Sequence, residues 1–500
     1  MFRHPTDHRR SLSPRPLTAL PLLGLLILGS LALTAQPAHA GSQEFFIDPL
    51  LGSPQGDGSA QNPWQTLEQV WADGLIEDYI WSSLPYEEGV STLEIRREGA
   101  PIRGGATLWL RSGFHGALDI RGGYNLQPIT VAAAPGHAPR LSFVELEAAQ
   151  GWTLRGLRIS KSFDPEAGTG GTLVDIDDHG FWGPSAEIAV EDCEIFSVAD
   201  AGGWTAEQWI HEASTAVRVG SDGIQVRGNR IRNVRHGIRV TGQDALVSRN
   251  LIDGFSADGL LGNGDRGVFE YNRVLNSFVG SGQGDGNHDD AFQSFTVGPG
   301  GVGTGVIRDV VLRGNLIISA TDPDHPLAST LQGIGCFDGN FENWTVENNV
   351  IITDHWHGIT FHGMVDSKIV NNTVIDINET SPGPPWIRLT SSGQGESENV
   401  VVRNNLSTAF SLSGANITDD HNIRFSFSEA ASHFVAPPYD LNLLASSAAV
   451  DAGSPDLAPP RDFTGSLRDE APDIGAFEWC PGCLFADDFE SGGTVAWTSF

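Results

Sequence analysis

Short aliphatic runs, each opened by a polar residue, recur along most of the chain. One pattern is Asn, any residue, then an aliphatic. It stands at Asn229-Arg-Ile231, Asn250-Leu-Ile252, Asn272-Arg-Val274, Asn315-Leu-Ile317, Asn349-Val-Ile351 and Asn372-Thr-Val374, and Asn405 begins a weaker copy. Leu157-Arg-Ile159 and Cys193-Glu-Ile195 fit the frame without the Asn. Three spacings are 21, 22 and 23 residues, and the others are 33, 34 and 43. A second run falls once in each interval from Asn229 to Asn372: His236-Gly-Ile-Arg-Val, Asp258-Gly-Leu-Leu-Gly, Asp290-Ala-Phe-Gln-Ser, Gln332-Gly-Ile-Gly-Cys and His357-Gly-Ile-Thr-Phe, with Ser214-Thr-Ala-Val-Arg upstream. Each reads as a short strand.

A base unit of about 22 residues holding about three short strands predicts an all-β parallel β-helix solenoid. No coil buries its apolar face alone, so coils stack around a continuous interior of Ile, Val, Leu and Phe. A buried Asn at a fixed turn bonds backbone and the same Asn one coil away, which keeps its polar atoms satisfied. Leucine-rich repeats also use Asn, but their dense Leu spacing is missing.

Composition agrees, with 60 Gly among 500 residues and Lys161 and Lys368 as the only lysines. The first 40 residues read as a signal peptide: Arg9, Arg10 and Arg15, an apolar run from Leu17 to Leu33, then Ala38-His39-Ala40. Removing that segment's net +3 takes the formal charge from −32 to −35. Such a charge argues against nucleic acid or an anionic membrane as partner. A polyanionic glycan needs local cations, from side chains or a metal. No later segment reads as a membrane span. Cys480 and Cys483 stand close enough for a tight disulfide, and Cys193 and Cys336 read as buried thiols.

The intervals locate a site. From each Asn to the next strand the distance is 7, 8, 18, 17 and 8 residues, so the coils of Asp290 and Gln332 carry extra chain before the strand. Neighbouring insertions predict the walls of a groove. If the aliphatics point inward, alternation turns Arg218, Arg239, Gln293, Thr360 and His362 outward. Strict alternation turns the first residue of each strand inward. Most of these residues precede a Gly, and a turn at the strand entry would instead bring His236, Asp258, Asp290, Gln332 and His357 to the groove. His288-Asp289-Asp290-Ala-Phe-Gln293 gathers an imidazole, two carboxylates and an amide. Trp356 and Trp386 suit sugar stacking or core packing equally well.

The chain resembles the pectate-lyase-like right-handed parallel β-helix proteins of secreted bacterial origin. The resemblance rests on residues 46 to 70, which look like the entry into an amino-terminal capping helix with Thr66 as N-cap and Gln69 three residues on. It rests also on residues 105 to 136, which look like first coils, and 461 to 478, which look like an ending of bacterial members. The implied organisation is 1–40 signal peptide, 41–110 cap and first coils, 111–478 β-helix and 479–500 tail. That tail resembles one on exported proteins of Gram-negative bacteria and implies a secreted or periplasmic protein.

The resemblance implies a polysaccharide substrate, most simply an acidic glycan cut by β-elimination. That chemistry needs a base for the C5 proton and a partner for the C5 carboxylate. The catalytic candidates are His288, Asp290, Gln293, His236, Arg239 and His357, with Trp356, His362, Gln332 and Trp386 as substrate contacts. Asp258, Asp289 and Asp338 are the candidate ligands of a Ca²⁺ ion. Hydrolysis by a carboxylate pair, uronate epimerisation and glycan binding without catalysis are the alternatives on this fold.

Overall fold

The computed structural model describes residues 43–479. Its described residues are a stack of β coils. Each regular coil carries three short strands, and each strand pairs in parallel with its counterpart in the next coil. Leu246, Leu251 and Leu260, one in each strand of a single coil, pair with Val268, Arg273 and Phe292 of the next. The segment read as a signal peptide, Cys480 and Cys483, and all but the first residue of the expected tail lie outside the described residues.

The asparagine ladder is continuous. Backbone N and Nδ2 of Asn229 both donate to Oδ1 of Asn250, at 3.0 and 2.9 Å. The same double bond links Asn250 to Asn272, Asn272 to Asn315, Asn315 to Asn349, Asn349 to Asn372 and Asn372 to Asn405. It runs one rung further than the pattern predicts, to Asn422. At the other end Cys193 N donates to Asn229 Oδ1. Each Nδ2 also donates to a carbonyl of the preceding coil, as Asn349 does to Leu312 O at 2.9 Å. The residue before each rung has a left-handed backbone, among them Gly228, Arg249, Tyr271, Gly314, Asn348 and Asn371. That conformation costs a non-Gly residue about 1–2 kcal/mol, which the ladder bonds offset.

The sheet that carries the site is built from β1 (Thr215–Val219), β2 (His236–Val240), β3 (Leu260–Gly262), β4 (Asp290–Phe295), β5 (Gln332–Asp338), β6 (His357–His362) and β7 (Trp386–Thr390). Val217, Ile238, Leu260, Phe292, Ile334, Ile359 and Ile387 stand in register and form one buried column. Phe269, Phe341, Trp344 and Phe361 pack edge-to-face with it and with one another.

A helix over Leu67–Ala72 covers the amino-terminal end, burying Leu67 and Val70. Thr66 caps it by accepting from Gln69 N. The reciprocal half of the expected capping box does not form, because the Gln69 amide turns forward to Asp73 Oδ2 at 3.0 Å. The last coil strand is Ile423–Arg424. The chain then folds back along the flank. Phe463, Ile474 and Phe477 cover Leu316, Ile318, Val350 and Ile352. Asn348 and Asn371 donate to the carbonyls of Arg461, Asp473 and Gly475. These coils are apolar on both faces of one strand because this strap keeps the second face dry.

Candidate active site

The strand entries settle the question of alternation. Gly237 and Gly333 take the inward turn, where a Cβ would come within 2.2 Å of the next coil's backbone oxygen. This turn brings the first and fourth residues of the strand to the same outer face. Asp290 and Gln293 bond to each other at 3.0 Å, as do His357 and Thr360 at 2.9 Å. The outer face is therefore a double column. From β2 to β7 it reads His236 and Arg239, Asp258 and Leu261, Asp290 and Gln293, Gln332 and Gly335, His357 and Thr360, Trp386 and Arg388.

At its centre is an imidazole–carboxylate pair. His288 sits in the loop just before β4, with its side chain 59% exposed and Nδ1 2.9 Å from Oδ2 of the fully buried Asp290. Gln293 Nε2 donates to the same oxygen. The bond between His288 and Asp290 holds the His288 ring above its ordinary value, while burial raises the Asp290 carboxyl. Asp290 Oδ1 is buried without a hydrogen-bond partner and lies over Gly335. A Cβ at Gly335 would stand 2.2 Å from it and 2.7 Å from the Phe337 ring. Gly335→Ala is therefore expected to push the carboxylate away from His288. Its cost is about 1–3 kcal/mol of stability, with at least a tenfold loss of turnover. Unfolding midpoint and kcat on the same preparation check both.

Asp258 lies one coil before Asp290, and its Oδ1 is 3.4 Å from Asp290 N. Burial, and then the Asp290 charge, push its carboxyl up to about 7. His236 stands behind it, Nε2 to Oδ2 3.9 Å, and burial with Arg239 and Arg235 nearby brings its ring down to about 3. His236 is thus neutral and next to Asp258 rather than next to His288. Arg239 stands in register between Arg218 and Leu261. Arg218 is committed to Asp175 and Asp177, whereas Arg239 makes no ion pair with a described residue.

Past the centre, Phe337 joins the histidines. Its ring centroid is 4.9 Å from His357, 5.2 Å from His362 and 6.3 Å from His288. Gln332 is buried opposite Asp290, with Oε1 unpartnered. Trp386 closes this end against His357 and stacks on Arg388, and Trp356 is 43% exposed beside it. Phe337, Thr360 as a partner of His357, and Arg388 complete the face. Alternation along Ile334, Gly335, Cys336 and Phe337 is the signal that finds Phe337 in the sequence.

The expected metal set does not come together. Asp289 is buried, accepts from Ser277 Oγ and Ser329 Oγ at 3.0 Å, and is pushed up to about 7 by burial. It ties the two insertions together, as does Gln283 Nε2 donating to Pro326 O. Asp338 is exposed at the far end of β5, six residues along the strand from Gln332. Among the described residues no group of three or more His, Cys, Asp or Glu is placed to hold a metal ion. The side chains of Asp258, Asp289 and Asp338 therefore do not fit one Ca²⁺ site. Among the described residues Cys193 and Cys336 are free and buried, as expected. Among the described residues no helix is long and apolar enough to cross a membrane.

The family model described as a right handed beta helix region matches residues 181–380. No curated protein matches the sequence. Among solved structures the chain is similar to pectate lyase Pel9A, at 14% identity over 88% of this chain and 98% of that one, with a TM-score of 0.43. It is similar to XylC in complex with xylose, at 9% identity over 87% and 98%, with a TM-score of 0.47. It is also similar to GH136 lacto-N-biosidase from Eubacterium ramulus, at 10% identity over 77% and 67%, with a TM-score of 0.36. None of these likenesses transfers a residue or an activity to this chain.

Proposed function

We propose that this right-handed β-helix protein is an exported enzyme that cuts an acidic, uronate-containing polysaccharide by β-elimination. The observation that carries the proposal is the half-exposed His288, oriented by the buried Asp290 in a groove flanked in register by Arg239 and Arg388. At about 4.8 Å per coil, Arg239 lies roughly 10 Å to one side of Gln293 and Arg388 roughly 14 Å to the other. These cations offset the chain's net negative charge where an anionic glycan would lie. In the proposed step His288 Nε2 takes the C5 proton. The C5–H electron pair becomes the C4=C5 double bond, the C4–O bond breaks, and the leaving oxygen recovers the proton from the His288 imidazolium.

Only the neutral ring accepts a proton, and Asp290 raises the His288 value above 6.5. kcat/KM is therefore expected to climb through an apparent pKa above 6.5 and to level off beyond it. Asp290→Asn removes the carboxylate that favours the charged ring, so the limb moves down in pH while the plateau falls. A limb at the same pH in both proteins removes His288 as the titrating base.

Hydrolysis is the second reading, favoured by Asp258. Its carboxyl, pushed up to about 7, stands beside the buried Asp290, and two carboxyls in one groove are what glycoside hydrolysis needs. Incubation with a panel of acidic glycans separates the two. Ultraviolet absorbance of unsaturated uronate ends marks elimination. New reducing ends without absorbance mark hydrolysis. Binding with neither signal overturns the catalytic proposal.

A further inference from the structure

If the face cuts by β-elimination as proposed, a second histidine shares it with His288. His288 and His357 stand around Phe337, 6.3 and 4.9 Å from its ring centroid, and each has its Nδ1 engaged. At His288 the partner is Asp290 Oδ2, which already accepts from Gln293 Nε2. Nδ1 is the donor there, and Nε2 carries the lone pair.

His357 is arranged the other way. Its Nδ1 lies 2.9 Å from Thr360 Oγ1 and 3.4 Å from Trp386 Nε1, and Trp386 Nε1 is 3.2 Å from Thr360 Oγ1. An indole nitrogen only donates. A proton on His357 Nδ1 would confront the indole N–H. It would also leave the hydroxyl hydrogen of Thr360, fully buried, without an acceptor among the described residues. With Nδ1 as acceptor all three groups are satisfied: Trp386 donates to Thr360 Oγ1, and Thr360 donates to His357. The ring proton then sits on Nε2, which has no hydrogen-bond partner among the described residues.

We propose that Thr360 and Trp386 are positioning residues that lock His357 in its Nε2–H form, making it a neutral hydrogen-bond donor to the uronate carboxylate beside the proton-accepting His288. Charge builds on that carboxylate as the C5 proton leaves, and a neutral imidazole serves such an oxygen without first needing to be charged. The groups packed around the ring keep it neutral. Burial acts first, then His355 stacked at 5.3 Å, Arg388, His362 and His288, which together bring the ring down to about 4. One face thus holds two histidines in opposite tautomers, both with Nε2 free among the described residues: one takes a proton, the other gives a hydrogen bond.

The test is a long-range ¹H–¹⁵N correlation on the full chain labelled with ¹⁵N-histidine, using His357→Gln to assign the signal. The expected result is an Nε2–H pattern for His357 that does not titrate between pH 5.5 and 8.5. Thr360→Val should give mixed tautomers and a kcat lowered about tenfold or more, with KM changed less. Thr360→Ser should restore both, and Trp386→Phe gives an independent disturbance should the valine variant fold poorly. An Nδ1–H pattern in the wild type, or titration near 6.5, overturns the lock. So do an unchanged tautomer and kcat in both Thr360→Val and Trp386→Phe. The spectrum needs no substrate, so the lock is decided even if the glycan assays count against β-elimination.

Discussion

His288→Ala is expected to lower turnover by about 10²–10⁴-fold, the range set by loss of a positioned general base. The fold should survive, because the side chain is 59% exposed and the change opens no core cavity. Asp290 keeps its bond from Gln293, and its buried carboxyl, already raised, can take up a proton instead of remaining an unpaired charge. The melting temperature should therefore move little while kcat collapses, and substrate binding should persist through the rest of the groove. Calorimetric titration with an oligosaccharide beside the turnover assay checks the pair. Full activity in this variant would sink the site assignment.

The largest effect on stability is expected from Asn349→Ala. Asn349 is fully buried in the middle of the ladder. Its Oδ1 accepts from Asn315 N and Nδ2, and its Nδ2 donates to Leu312 O and Asn372 Oδ1. Truncation leaves the two Asn315 donors and the Leu312 carbonyl buried without partners. At about 1–3 kcal/mol for each group, with incomplete additivity, the loss is about 3–6 kcal/mol. Asn422→Ala, at the half-buried last rung, should cost about 1 kcal/mol or a little more by the same reasoning. Urea unfolding of the two variants measures the difference. Equal midpoints would mean that the rungs contribute little beyond filling space.

The sequence by itself determined the coil and its ladder. An Asn that repeats at one turn of a coil of about 22 residues has one way to satisfy its polar atoms, which is to meet its own copy in the next coil. The stretch from 22 to 43 and 34 residues likewise marked where chain leaves the stack, and His288, Asp290 and Gln293 lie there. The alternation of Gly335 and Phe337 on β5 was legible too, because period two follows from strand geometry alone.

Tertiary structure decided which of the marked residues meet. Asp258 and Asp290, 32 residues apart, become neighbours only because insertions leave the strand register untouched. Asp338 is close to them in coil order and lies on β5, yet strand length carries it to the other edge. The two insertions are tied through Asp289, so a residue that reads as a ligand is a strut. Trp386, Thr360 and His357 form one chain of bonds because adjacent coils stand about 4.8 Å apart, a distance at which side chains three residues apart on one strand and across to the next converge. The strap of residues 426–479, which covers a second apolar face, has no repeat to announce it. A period is a local property that any stretch of the chain displays. The contacts that make a site depend on how far each side chain reaches from a backbone whose turns, bulges and insertions are fixed only once the coils have stacked.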